Sequence, residues 1–154
     1  MKNYMQLEIL AISENECFAR SAVAAFALTL NPSLSELSDI KTAVSEAVTN
    51  AIVHAYKSQV SPEHKILLTC RAYDENGVGE LHIEVTDYGC GIENVEVAMQ
   101  PFFTTLSPNE RAGMGFTIMQ AFSSEFLVES ERGKGTTVKM IKRIAEGGRS
   151  EENA

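Results

Sequence analysis

Glu46, Asn50 and His54 recur at every fourth position, a spacing that sets all three along one side of a helix. A carboxylate and an amide one turn apart suit two kinds of chemistry. They can share Mg²⁺ through oxygen, or divide the work of general base and metal ligand. On spacing alone a plainer reading also stands. Glu46 lies about 200° round the helix from the apolar Val44, so the strip could be a solvated face. The flanking Ala43, Ala47, Ala51 and Val53 keep that strip narrow, which speaks for the chemical reading. His54 has no second histidine or cysteine near it in sequence and is read as a bystander. Three glycine clusters follow: Asp87-x-Gly89-x-Gly91, Gly113-Met114-Gly115-Phe116 and Gly133-x-Gly135. Each alone fits a turn. The second opens a predicted helix, where unpaired N–H groups and the helix dipole favour an anion. Arg111, just before it, is either a counter-charge for a terminal phosphate or a solvated charge beside Glu110. Cys90, between two of these glycines, either lines a pocket or fills a gap.

Elements must position these residues. Alternation over Met5–Ala11 predicts a strand with one buried face. Ser13-x-x-Glu16 predicts a capping box opening a helix from Glu14 to Leu30, which Asn31-Pro32 stops. Ser33-x-x-Glu36 is a second capping box, opening a helix to about Tyr56 with Leu37, Ile40, Val44 and Val48 as its apolar stripe. After a polar loop, Lys65–Tyr73 and Gly79–Thr86 read as a hairpin with a longer-than-minimal loop over Asp74–Val78. Glu93–Met99 predicts a short helix and Gln100–Gly113 a long loop of the lid kind. Met114–Phe122 reads as a helix, and Glu125–Ser130 and Thr136–Ile144 as strands around a tight Gly133-Lys134-Gly135 turn. The expected fold is α+β, a two-layer sandwich with helices on one face of a mostly antiparallel sheet. One domain is expected over residues 1–144, with a polar, disordered tail over 145–154.

Composition limits the partners. The chain has 154 residues, 13 Lys plus Arg against 21 Asp plus Glu, and a net charge of −8. It lacks the basic footprint of a nucleic-acid binder, and an anionic membrane surface would repel it. Proteins and small molecules are the expected partners. Any phosphate would be held by backbone amides and a few local cations. Cys17, Cys70 and Cys90 form no CxxC pair and read as reduced thiols of a cytoplasmic chain. No apolar signal core follows Met1 and no apolar run approaches the length of a membrane span, so export is not expected.

The order of the parts says more than any one of them. A helix with Glu-x3-Asn-x3-His, then Asp-x-Gly-x-Gly, a Phe/Thr lid, Gly-x-Gly-Phe and Gly-x-Gly-Thr-Thr resembles the GHKL (histidine-kinase-like) ATP-binding fold. Ile40-Lys41-Thr42, Ser45–Ile52, Gln100–Thr105 and Glu110–Met119 narrow the resemblance to anti-sigma serine/threonine kinases, nearest the anti-sigma F group of endospore-forming bacteria. It spans Met1 to about Ile144.

That resemblance implies roles. Glu46 would be the general base that prepares a serine hydroxyl, and Asn50 would ligate Mg²⁺. Asp87 would accept the adenine amino group, with Thr136 supporting the ring. Gly89 and Gly91 would let the backbone approach the nucleotide, and Thr104 and Thr105 would contact it from the lid. The amides of Gly113, Met114, Gly115 and Phe116 would hold the phosphates, with Arg111 near the transferred one. Glu16 and Arg20, otherwise a surface i,i+4 pair, would lie where protein partners dock. The implied function is ATP-dependent sequestration of a sigma factor of the sigma F type, with serine phosphorylation of its anti-anti-sigma factor, by a homodimer. A general-stress-type anti-sigma kinase and a non-catalytic, ATP-gated sigma-binding module are the alternatives. The sequence departs from the family pattern at Ala55, usually glycine, and at Leu106, usually lysine. Ala55 suggests a straighter helix end, and Leu106 a weaker contact to phosphate or partner.

Overall fold

The computed structural model describes residues 1–100 and 115–144. Thr104, Thr105, Leu106, Arg111, Gly113 and Met114, and residues 145–154, on which a lid, a phosphate-holding turn and a disordered tail were expected, lie outside the described residues.

Among the described residues five strands form one sheet: β1 (Asn3–Leu10), β2 (Lys65–Glu75), β3 (Val78–Asp87), β4 (Glu125–Glu131) and β5 (Gly135–Ile144). Their spatial order is β1-β2-β3-β5-β4, and every neighbouring pair is antiparallel. Alternation builds the buried face. Ile66, Leu68, Cys70 and Ala72 of β2, Leu81, Ile83 and Val85 of β3, and Val138 and Met140 of β5 all point to the core. Helices α1 (Glu14–Ala27) and α2 (Leu34–Asn50) cover that face, contributing Ala19, Val23, Phe26 and Ala27 from one and Ile40, Val44 and Val48 from the other. Leu37 of the expected stripe is only partly buried. Two shorter helices, α3 (Val95–Ala98) and α4 (Gly115–Ala121), complete the layer. This is the expected α+β sandwich.

The two capping boxes fare differently. At α2 both reciprocal bonds form: Glu36 N–H donates to Ser33 Oγ at 3.1 Å, and Ser33 N–H to Glu36 Oε1 at 3.0 Å. At α1 no side-chain cap exists, because Ser13 already has helical angles (φ −57°, ψ −36°) that turn its hydroxyl away from the first-turn amides. Glu16 pairs with Arg20 instead, and the Asn15 amide donates to the Leu10 carbonyl at 3.0 Å. Helix α1 ends at Ala27 and tightens into a 3-10 turn over Leu28–Leu30, closed by Asn31 in the left-handed region.

The β2–β3 connection corrects a second expectation. The ladder runs to Glu75↔Val78, leaving only Asn76-Gly77 between the strands. Both have positive φ, 53° and 80°, so a two-residue turn matches the strand twist and no longer loop is needed. Helix α2 was expected to run regularly to Tyr56. It stays α-helical to Asn50 and then widens into a π-helical turn over Ala51–Ala55. The Tyr56 N–H donates to Ala51 at 3.1 Å, five residues back. A straighter helix end at Ala55 is therefore not what forms.

Candidate functional site

The core opens where α2 widens. Alternation along β3 continues past Leu81, Ile83 and Val85 to Asp87, putting a carboxylate at the end of an apolar row. Its partner across the ladder is Thr136, at the matching end of the β5 row Thr136, Val138, Met140. Asp87 and Thr136 are both buried, at 7% and 8% exposure. Together with α2, the π turn, α3 and α4 they enclose a cavity of about 770 Å³. Its apolar wall includes Ala47, Ala51, Val85, Ile92, Val97, Ala98, Phe116 and Val138. Asn50, His54, Lys57, Cys90, Glu93, Asn94 and Arg132 add polar groups. A largely apolar slot with a few convergent polar groups is the usual make-up of a small-molecule site.

One helix end supplies much of this lining because Ala47, Asn50, Ala51, His54 and Ala55 recur at i, i+3, i+4, i+7 and i+8, the spacing that sets residues on one side of a helix. Asn50 abuts the first turn of α4: a Cβ at Gly115 would come 2.8 Å from both Asn50 Oδ1 and Nδ2. Glu46 sits one turn before Asn50 on the same side and is half-buried, but it is not among the described residues that line the cavity.

The loop after β3 is fixed by its backbone. A Cβ at Gly89 would collide with the Ala55 carbonyl, and one at Gly91 with the Glu131 carbonyl. Gly91 also has φ +73°, a conformation that suits glycine. These glycines therefore permit the close approach of two protein walls, a reason additional to the nucleotide contact expected of them. Gly91 lines the cavity; Gly89 donates its N–H to Asp87 Oδ1 at 3.0 Å. Cys90 bridges the walls through its main chain, donating to Ala55 at 3.2 Å and accepting from Gly133 at 2.7 Å. Behind the loop, the Tyr56 hydroxyl donates to the Lys65 carbonyl at 2.5 Å and accepts from the Tyr88 N–H at 2.8 Å.

Burial pushes the Asp87 carboxyl up to about 6, and the N–H groups of Gly89 and Thr136 pull it only part of the way back. It is ionised above that pH and then presents acceptor oxygen to a largely apolar slot.

Sequence reasoning did not single out Ser130. It lies opposite Thr136 in the β4–β5 register, and its hydroxyl reaches Thr136 Oγ1 at 2.7 Å, the Gly135 carbonyl at 2.9 Å and the Ile92 N–H at 2.8 Å. The alternation Phe126, Val128, Ser130 could have placed it on the inner face. His54, read as a bystander, lines the cavity. Glu16 and Arg20 lie away from it. Their ion pair spans 3.3 Å, and Arg20 also reaches Ser45 Oγ on α2 at 3.4 Å, so the pair ties two helices together.

The profile of the histidine kinase-like ATPase domain matches residues 14–142. Anti-sigma F factors are similar over nearly the full length of both partners. The one from Caldanaerobacter subterraneus subsp. tengcongensis is 54% identical over 142 residues, 92% of this chain and 94% of that protein. Those from Geobacillus thermodenitrificans and Clostridium acetobutylicum are 50% and 49% identical over 145 residues. The alignments cover 94% of this chain in both cases, with 95% and 96% of the relatives.

The chain belongs to the anti-sigma F factor family.

It carries that family's histidine kinase-like ATPase domain, and so belongs among ATP-using proteins. A crystal structure of the RsbU and RsbW domains of a Mycobacterium tuberculosis protein has the same fold. It superposes with a TM-score of 0.62 at 20% identity, over 92% of this chain and 32% of that longer one.

The cavity fits an adenine nucleotide on its own chemistry: a largely apolar slot for a ring, with a buried carboxylate whose oxygens can accept more than the N–H groups of Gly89 and Thr136. For a divalent cation the fit rests on Asn50. Among the described residues no cluster of three or more His, Cys, Asp or Glu could hold a metal alone. A magnesium ion here would take one amide oxygen from the chain and the rest of its ligands from phosphate and water. Among the described residues no helix is long and apolar enough to cross a membrane.

Proposed function

We propose that this chain sequesters a sigma factor of the sigma F type when ATP fills the cavity, and that it phosphorylates its anti-anti-sigma factor on serine. The observation that carries this reading is the buried Asp87 carboxylate at the end of an apolar slot, in a chain of the anti-sigma F family. ATP supplies the phosphoryl group, and Mg²⁺ the neutralisation of charge on it. The chain's own residues bind and orient. Asp87 accepts from the 6-amino group of adenine, Thr136 supports the ring, and Val85, Val138 and Ile92 exclude water around it. Asn50 offers its oxygen to the cation. Glu46, one turn back, takes the serine proton. Gly113, Met114, Gly115 and Phe116 supply amides to the phosphates, Arg111 a positive charge, and Thr104 and Thr105 lid contacts. Glu16 and Arg20 belong to the docking face, and the working form is a cytoplasmic homodimer.

The reading is tested by incubating the chain with Mg²⁺, γ-labelled ATP and a purified anti-anti-sigma protein, beside Glu46→Ala. Label on a partner serine, lost in the variant while ATP still binds, is the expected result. Equal labelling by both would remove Glu46 from the mechanism. ATP binding without label from the unaltered chain would leave a nucleotide-gated binding module.

A further inference from the structure

The hydroxyl of Ser130 has one proton and three polar neighbours. The Ile92 N–H can only donate to it, at 2.8 Å, and the Gly135 carbonyl can only accept from it, at 2.9 Å. Thr136 Oγ1, at 2.7 Å, could do either. If the Ser130 proton went to Thr136, the Ser130 and Gly135 oxygens would face one another at 2.9 Å with no proton between them. If it goes to Gly135, all three contacts are satisfied. Ser130 then donates once and accepts twice, from Ile92 and from Thr136, which fills a hydroxyl's capacity.

The consequence falls on Thr136. Its proton is committed to Ser130, so the hydroxyl of this cavity-lining residue has only lone pairs left to offer a ligand. Asp87, paired with it across the ladder and lining the same cavity, also presents only acceptor oxygen when ionised. Two neighbouring acceptors suit a 6-amino group, whose two N–H bonds can serve both, whereas a 6-oxo purine has a single N1–H to offer and sets its carbonyl oxygen against the other acceptor.

We propose that Ser130 is a positioning residue that locks the Thr136 hydroxyl as an acceptor, so that the cavity takes 6-amino purine nucleotides and rejects 6-oxo ones. The proposal rests on the adenine-nucleotide reading of the cavity. Without Ser130, the Thr136 hydroxyl is free to turn and donate into the slot, toward a 6-oxo group.

The test is calorimetric titration of ATP and of inosine triphosphate into the full chain at mildly alkaline pH, where Asp87 is ionised. Unaltered protein is compared with Ser130→Ala, Ser130→Cys and Ser130→Thr. The unaltered chain is expected to prefer ATP. In Ser130→Ala that preference should fall about tenfold, the order of one hydrogen bond, with inosine triphosphate bound no more weakly than before. Ser130→Thr, which keeps the hydroxyl, should restore it. If Ser130→Ala fails to fold, Ser130→Cys, with a weaker donor and acceptor of similar size, should show a smaller change of the same sign. An unchanged preference, or an equal loss for both nucleotides, would overturn the proposal and leave the adenine site standing. A chain that binds neither nucleotide, or both alike, would overturn the adenine reading and the proposal with it.

Discussion

The two halves of helix α2 solve different problems. From Ser33 to Val48 the helix is a dry strut, with a complete capping box and with Ile40, Val44 and Val48 packed on the sheet. From Ala51 to Ala55 it widens into a π turn, and Asn50, Ala51, His54 and Ala55 line a cavity. The first half is held by side-chain volume. The second is held by the backbone approach of Gly89 to Ala55, which leaves no room for a Cβ, and by the Cys90 N–H donating to the Ala55 carbonyl. Close packing gives the strut its stability, while the cavity wall keeps its shape without filling its centre.

The largest expected effects set the two modes side by side. Ile40→Ala should remove about 2–5 kcal/mol of folding stability in urea melts, while the folded fraction binds ATP with unchanged affinity. Gly91→Ala should cost about 3 kcal/mol or more and weaken ATP as well, because strain and a backbone collision combine at the cavity wall. Gly133→Ala, also at positive φ but with nothing within 4 Å of the added carbon, should cost only about 1 kcal/mol and leave ATP binding intact. Equal losses at the two glycines would break the contrast.

Next in size is the response to pH. In the unfolded chain Asp87 ionises near 4, whereas in the folded chain it holds its proton to about 6. Between those values the folded state binds the extra proton, so Asp87 contributes stability at low pH that is lost as pH rises through the window. ATP affinity should run the other way, falling as pH drops below about 6 and the carboxylate is lost. Melts and titrations over the same pH range should therefore slope in opposite directions. The smallest effect is at the helix starts: Ser33→Ala should cost about 1 kcal/mol, and Ser13→Ala less than about 0.5.

The serine pair also shows where sequence stops being informative. Ser13-x-x-Glu16 and Ser33-x-x-Glu36 are the same pattern, but only the second cap forms. What separates them is the angle at which the chain enters the helix, set by β1 and by Asn15 reaching back to Leu10. Period-2 and period-3.6 patterning gave every strand and helix among the described residues to within a few positions, because burial enforces those periods. Asp87 and Thr136 were legible only through the family resemblance of their motifs; the strand pattern was expected to stop at Thr86, and the structure carries it one residue further, to Asp87. The π turn was not, since nothing in Ala51–Ala55 departs from a helical pattern and the cause lies in contacts with Gly89 and Cys90. The alternation of β4 marks Ser130 as inward-facing, but its role was not legible, because its partners come from another strand and another loop.

The central claim is that the cavity at the wide end of α2 reads an adenine edge through the Asp87 carboxylate. Its most direct test is titration of ATP into the unaltered chain and into Asp87→Asn, with the unfolding temperature of each taken without nucleotide. The claim predicts that Asp87→Asn binds ATP about tenfold to a hundredfold more weakly while melting no lower, since a buried charge has been removed. Equal affinity in the two proteins would contradict it.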